Sequence, residues 1–405
     1  MAIRTLALPS SIASILSRHV YIPQATASSS SLETSSLPAP DTDGMVHLPV
    51  GAGPTGGSPG LQDCIACGLR HVDPDYVNLC LIPREMIQEM VSSVVDPLDL
   101  HRAASVSSTF KELVTSVLYA RLTASLVEKG FSDPRGFLKF IYRHKIYIAG
   151  PGLLPILFPD CPRIPEFETR VELHSPDCAT SVTELTAVLL GDGFKSSDVY
   201  EGRVCLLGLF NNDLRYPHFG RTVKKVLRFT KDRAAGGERI VVLVFISSSA
   251  QTGFLSVVEY PTTLFMIAVD GISLHIVYPA LTGIRRGLIN MPFPKTLVSF
   301  HTPPFFNALQ PFFDLQENLI SWPEFRFHIC DQNASCPLRV RCLSDNRSII
   351  LPCSVDHPFM RMRQDPFVAW MLRCAGSCMN NMPFPDQEVH YKGRYIASDL
   401  HVADA

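Results

Sequence analysis

The stretch Leu81-Ile82-Pro83-Arg84-Glu85-Met86-Ile87, followed by Asp96-Pro97-Leu98-Asp99-Leu100 and then Val106-Ser107-Ser108-Thr109-Phe110, sets the reading of the chain. Pro83 suits the first turn of a helix, where its missing N–H has no partner to lose. Met86, Ile87, Met90, Val91 and Val94 then repeat at helical spacing. Asp96-Pro97 ends that helix, because the residue before a proline is pushed out of the helical region. Leu98, Leu100, Ala103 and Val106 fall on a short second helix. Ser107 to Thr109 offers cap residues for a third, whose stripe is Phe110, Leu113, Val114, Val117 and Leu118. Helices this short do not hold themselves together in isolation. Met86 and Ile87 are adjacent and point about a quarter-turn apart. One face can therefore pack on the rest of the chain while another meets a partner.

These three stretches resemble the F-box. That family has a Leu-Pro-x-Glu start, an acidic-proline turn with two leucines, and a Val-Ser-x-x-aromatic step at about these intervals. Ile82 stands where leucine is usual. The resemblance covers roughly 45 residues, the size of a small module. It implies docking onto a Skp-type adaptor of a cullin ubiquitin ligase. The residues it implicates are Leu81, Ile82, Pro83, Glu85, Ile87, Pro97, Leu98, Leu100, Val106 and Phe110. On the residues alone, the alternative is an ordinary helical subdomain whose stripes all pack internally.

The segment Lys129-Gly130-Phe131-Ser132-Asp133-Pro134 contains no glycine-serine run to act as a tether, and Pro134 fixes φ. The helical module is thus expected to pack in one orientation on the downstream domain. Leu118, Leu122 and Leu126 should be covered, and the face near Pro83 and Leu100 left open. Phe137 to Arg143 reads as another helix. Beyond it the pattern alternates: strands at Ile146–Ile148, Thr169–His174, Thr222–Thr230, Arg239–Ile246 and Ser273–Tyr278, and helices at Leu153–Phe158 and Ser181–Leu190. The polar alternation of Thr169–His174 reads as a half-buried strand, and the apolar run before Ile246 as a fully buried one. Phe254 to Val269 reads as mostly helical, with a break at Pro261.

Tyr278-Pro279-Ala280-Leu281-Thr282, together with His328-Ile329-Cys330 and Ser335-Cys336-Pro337-Leu338, makes the region similar to a nucleotidyltransferase-like domain that accompanies F-boxes in mushroom-forming fungi. The likeness spans about 180 residues, one domain. In that family a strand ends in Gly-Ser and a later strand carries Asp-x-Asp, an aromatic and a proline. Nucleotidyl transfer needs closely spaced carboxylates to hold divalent metal on the triphosphate. Here the Gly-Ser position reads Gly150-Pro151. With Pro176 on the family proline, the Asp-x-Asp position reads Arg170-Val171-Glu172. Proline removes a hydroxyl and a backbone N–H, and Arg170 puts a cation where a metal ligand belongs. The resemblance therefore implies an inactive domain without catalytic or metal-binding residues. An active metal-dependent enzyme, with Glu166 or Glu168 as a displaced ligand, is the alternative.

Residues 1–60 read as a disordered tail, rich in serine up to Ser36 and in proline and glycine from Pro38 to Gly60. The first 32 residues hold Arg4 and Arg18 and no acid, a composition that an organellar presequence shares. The chain's 405 residues are 46% hydrophobic and 18% charged, with net charge −2. Such a balance gives no bulk attraction to nucleic acid or anionic membrane. The 12 cysteines are scattered rather than set in a short secreted framework, so the expected compartment is cytoplasm or nucleus, with mitochondrion as the alternative.

Weaker constellations remain. Cys64, Cys67, His71 and Cys80 lack a second CxxC, and His328, Cys330 and Cys336 could be buried thiols rather than zinc ligands. Cys374 and Cys378 stand four apart, as helix packing would use them. Lys224-Lys225 and Arg285-Arg286 are too short for a nucleic-acid site and read as solvated surface. The expectation is an α+β chain: a tail over 1–60, an F-box-like module over 77–128, a mixed α/β domain over 135–325 and a Cys/Pro-rich extension over 326–405. It would bind a Skp-type adaptor and a target protein, with no cofactor, nucleic acid or membrane.

Overall fold

The computed structural model describes residues 84–290, apart from 95, 162–163, 203–204, 207–208, 210–221 and 234–237, and stretches between 309 and 372. The expected tail, Leu81, Ile82, Pro83, Cys64, Cys67, His71, Cys80, Cys330, Cys374 and Cys378 lie outside the described residues. Described residues from Ile87 onward belong to one compact unit; Arg84, Glu85 and Met86 belong to the other.

Four helices come first: α1 (Arg84–Ser93), α2 (Pro97–Val106), α3 (Ser108–Glu128) and α4 (Pro134–His144). Their ends obey the punctuation of the sequence. The Asp96 side chain accepts from Leu98 N–H at 2.8 Å and caps α2, with Pro97 as first residue. Ser107 closes α2 and caps α3, accepting from Phe110 N–H at 3.2 Å. Asp133 caps α4 in the same way through Gly136 N–H, 2.9 Å.

Beyond the helices the chain builds an eight-stranded mixed sheet. Its strands are β1 (Tyr147–Ala149), β2 (Arg170–Ser175), β3 (Lys195–Glu201), β4 (Val223–Lys231), β5 (Ile240–Ser247), β6 (Ile267–Val269), β7 (Ser273–Ile276) and β11 (Ile349–Pro352). They lie in the order β11-β7-β6-β1-β2-β5-β4-β3. Only β2 and β5 run parallel within it, Glu172 facing Leu243; every other pairing is antiparallel. The apolar run of β5 lies between β2 and β4, covered on both faces as its composition requires. Short helices α5 (Leu154–Leu157) and α6 (Pro165–Glu168) link β1 to β2, and α7 (Ala179–Gly191) leads from β2 to β3. Two-residue and three-residue strands make small extra sheets: β8 (Arg286–Leu288) with β9 (Asp314–Gln316), and β10 (Arg341–Cys342) with β12 (Ala369–Trp370). The fold is thus mixed α/β.

Two expectations need correction. Between Phe254 and Val269 only one turn, α8 (Phe254–Val257), is α-helical; a 3-10 turn at Thr263–Phe265 leads into strand β6. Pro261 and the adjoining β-branched Thr262 and Thr263 end the helix, and Thr262 caps the next turn through Leu264 N–H, 3.3 Å. Strand β2 is not half-buried either: Glu172 and His174 are 3% and 0% exposed. Its polar alternation marks an internal network rather than a solvent face.

Helices α2 and α3 pack on the sheet. α2 and α3 pack on each other, both touch β11, and α3 also meets α4 and α5. Leu118, Leu122 and Leu126 are buried, as expected. Leu98 of α2 lies over Gly283, just beyond α9 (Pro279–Thr282); a Cβ on that glycine would come within 2.4 Å of the leucine. The turn after α3 is held as well. Lys231 Nζ donates to Gly130 O at 2.6 Å and to Asp192 O at 2.5 Å, and Ser132 N–H donates to Asp192 at 3.1 Å.

Candidate functional site

The residues implicated in docking are divided by their burial. Glu85 is exposed; Leu98 and Val106 are half-buried; Ile87, Pro97 and Phe110 are buried. Leu100 is 0% exposed, so the face expected to stay open at Leu100 is closed. The cause is α2 itself, which lies between α3 and the β11 edge and turns Leu100 and Ala103 into the chain's own core. Of the implicated residues on α2, Leu98 and Val106 remain half-exposed.

The second candidate is the ground between β1 and β2. Gly150 ends β1 at φ +88°, and its neighbour Ala149 pairs with Glu172. The register thus brings the Gly150-Pro151 and Arg170-Val171-Glu172 positions together. No space is left between them. A Cβ at Gly150 would lie 2.5 Å from the Tyr260 hydroxyl and 2.6 Å from Glu172 Oε2. Arg170 Nε sits 3.1 Å from Glu172 Oε1 and spends its charge on the carboxylate beside it.

Behind Glu172 runs a buried polar chain that sequence reasoning missed. Tyr260 Oη donates to Glu172 Oε2 at 2.5 Å, His174 Nε2 lies 2.8 Å from Tyr260 Oη, and His174 Nδ1 lies 2.7 Å from Ser256 Oγ. Ser256 Oγ also lies within donating distance of Gly253 O, 3.1 Å, so the ring nitrogens take whichever donor and acceptor roles the two hydroxyls leave them. Complete burial pushes the His174 pKa down to about 3, which keeps the ring neutral. A serine hydroxyl against a histidine base has the geometry of an activated nucleophile. Ser256, His174 and Tyr260 are all fully buried, however, and none of them meets solvent. The chain ties β2 to α8 and the turn after it.

A small cavity lies on the α3 side of Arg170 and Glu172. There Leu122, Ser125, Leu126 and Lys129 cover β1 and β2 over a cavity of about 10 Å³. That is room for one water, against the several hundred Å³, roughly 300–1,000, of a small-molecule pocket. Lys129, the C-cap of α3, is 8% exposed and reaches Ser125 Oγ at 3.3 Å. Burial pushes its ammonium pKa down, opposed by Glu128 and Glu168. Among the described residues no group of three or more His, Cys, Asp or Glu side chains could hold a metal ion.

No family model matches the chain, and no curated protein or solved structure matches it.

The Tyr278-Pro279-Ala280-Leu281-Thr282 stretch is structural. Arg341, almost wholly buried, lies over the Tyr278 ring at 5.0 Å and over Trp370 at 5.9 Å, donates to Val277 O at 3.0 Å and pairs with Asp345. Trp370 Nε1 in turn donates to Tyr278 Oη at 3.0 Å. Arg285 and Arg286 are half-buried rather than solvated: Arg285 holds Asp160 with contacts of 2.6 and 2.7 Å, and Arg286 meets Asp314 and Glu324 over the Trp322 ring. They line an open groove of about 570 Å³ whose apolar wall is Ile284 and Phe312. Lys224 and Lys225 pair with Asp177 and Glu201. His328 is half-buried and Cys336 buried. Among the described residues no helix is long and apolar enough to cross a membrane.

Proposed function

We propose that the chain is a non-catalytic adaptor of the F-box type. Its α1–α3 segment docks a Skp-type adaptor of a cullin ubiquitin ligase, in cytoplasm or nucleus, and the sheet unit carries the surface that recruits a target protein. The observation that carries the reading is the match between motif and helix ends. Asp96-Pro97 starts α2 and Ser107 starts α3, each by a side-chain cap, so the resemblance is one of spacing, residue type and local geometry together. Closure of the ground beside Gly150 and Glu172 supports the non-catalytic half: the positions where nucleotide and metal would sit hold Arg170, Tyr260 and Lys129 instead.

A pull-down with a purified Skp-type adaptor tests it. Wild type should be retained, and Val106→Asp should not. Val106 is the suitable target because it is half-buried at the end of α2; a charge at Leu100 would act through the core. Retention of both, or of neither, contradicts the proposal.

A further inference from the structure

Helix α2 packs against α9, and Leu98 lies so close to Gly283 that a Cβ added there would come within 2.4 Å of it. The next residue, Ile284, is 46% exposed. Phe312, 37% exposed, stands with it on the wall of the groove of about 570 Å³. One exposed apolar side chain means little, but Leu98, Ile284 and Phe312 together make a patch. The cations of the groove are already engaged. Arg285 holds Asp160 at 2.6 and 2.7 Å, and Arg286 meets Asp314 and Glu324. An anionic ligand would find those pairs made, whereas a protein surface would find an apolar centre with a polar rim. Arg285 is also held at φ +57°, a strained conformation of the kind that gathers at binding sites.

We infer that this groove is a second seat for the partner that docks on α2, the Skp-type adaptor, whose surface crosses Gly283 to cover Ile284 and Phe312. The inference rests on the docking reading and extends it. A stable interface takes roughly 800 Å² from each partner, around an apolar centre. Leu100 and Ala103 are turned into the core, so the implicated residues of α2 offer such a centre only Leu98 and Val106, both half-buried. Two half-buried side chains are too few. The apolar ground that continues from Leu98 is Ile284 and Phe312, so a partner seated on Leu98 meets them next.

The test is calorimetric titration of the full chain with a purified Skp-type adaptor. Ile284→Asp with Phe312→Asp should weaken binding by about tenfold or more. Val199→Asp should leave it unchanged, because Val199, 55% exposed, lies on β3 at the opposite edge of the sheet from β11, which α2 touches. Amide hydrogen exchange of the wild-type chain needs no variant: the adaptor should slow it over 310–316 and not over 195–201. Val106→Asp separates the two readings. Loss of binding in Val106→Asp with full affinity in the double variant would overturn this inference and leave the docking reading standing. No binding by the wild type would overturn both. Unchanged exchange over 310–316, or self-association of the chain that the double variant abolishes, would also overturn the inference.

Discussion

The Tyr260 hydroxyl bridges two side chains of one strand, donating to Glu172 Oε2 at 2.5 Å and lying within hydrogen-bond distance of His174 Nε2, 2.8 Å. One phenol adds a hydrogen bond to each of two buried groups, beside the contacts of Glu172 with Arg170 and of His174 with Ser256. Removing only its oxygen, by Tyr260→Phe, takes one hydrogen bond from each while the ring still packs. The loss costs about 1–3 kcal/mol. Urea denaturation should show a loss of that size. An unchanged midpoint would mean that the chain of hydrogen bonds carries no stability.

The same phenol makes Gly150 irreplaceable. Its φ of +88° disfavours any side chain, and a Cβ would lie 2.5 Å from the hydroxyl. Gly150→Ala should cost at least about 1–3 kcal/mol. Gly191, at the end of α7, has no atom within 4 Å of an added Cβ, and Gly191→Ala should be neutral or stabilising by about 0.4–1 kcal/mol. Thermal melts of the two variants should move in opposite directions or, at the least, separate by several degrees.

Acid should destabilise the fold in two stages. His174 has its pKa lowered by burial from 6.5 to about 3, so between those values the unfolded chain takes up a proton that the folded one refuses. Stability therefore declines as pH falls from about 6.5 towards 3. Burial alone would raise the Asp270 pKa, but His275 at 3.0 Å and the Ile272 and Ser273 N–H groups hold it below 3.8. Asp345 is likewise held below 3.8 by Arg341 against its burial. Their stabilisation is complete above 3.8 and is lost as pH falls through the folded values. Denaturation midpoints across this range should fall in both windows. His174→Asn should flatten the upper window and Asp270→Asn the lower one. A wild-type midpoint independent of pH between 6.5 and 3.8 would contradict the assignment.

Much of the helical architecture was legible because proline, aspartate and serine act locally. Asp96-Pro97, Ser107 and Asp133-Pro134 end or start helices through their own side chains. Strand β5 was legible because eight residues of one character leave no other reading. Strand β3 was not, because Lys-Ser-Ser-Asp-Val-Tyr-Glu has no apolar alternation; as an edge strand it is exposed on both faces and pairs by charge, Lys225 with Glu201 and Arg228 with Asp198. The buried network was misread for a related reason. Alternating polar residues report solvent only when no second element supplies partners, and here Ser256 and Tyr260 arrive from more than 80 residues away. Leu100 was placed at an open face because periodicity gives the stripes of a helix but not which neighbour covers them.

The turn from α3 to α4 should resist protease. Lys129 is nearly buried, Phe131 is buried, and Gly130 and Ser132 are tied to Lys231 and Asp192. Limited trypsin digestion should cut slowly at Lys129. Rapid cleavage there would show that the helices swing free of the sheet.

The most direct test of the adaptor reading is calorimetric titration of the purified chain with a purified Skp-type adaptor. One adaptor should bind per chain, and heat capacity should fall on binding, as burial of apolar surface requires. Val106→Asp should abolish the heat while lowering stability to urea by no more than about 1 kcal/mol, the order expected for a negative charge at the end of a helix. No heat with the wild-type chain, or undiminished binding by Val106→Asp, would contradict the account.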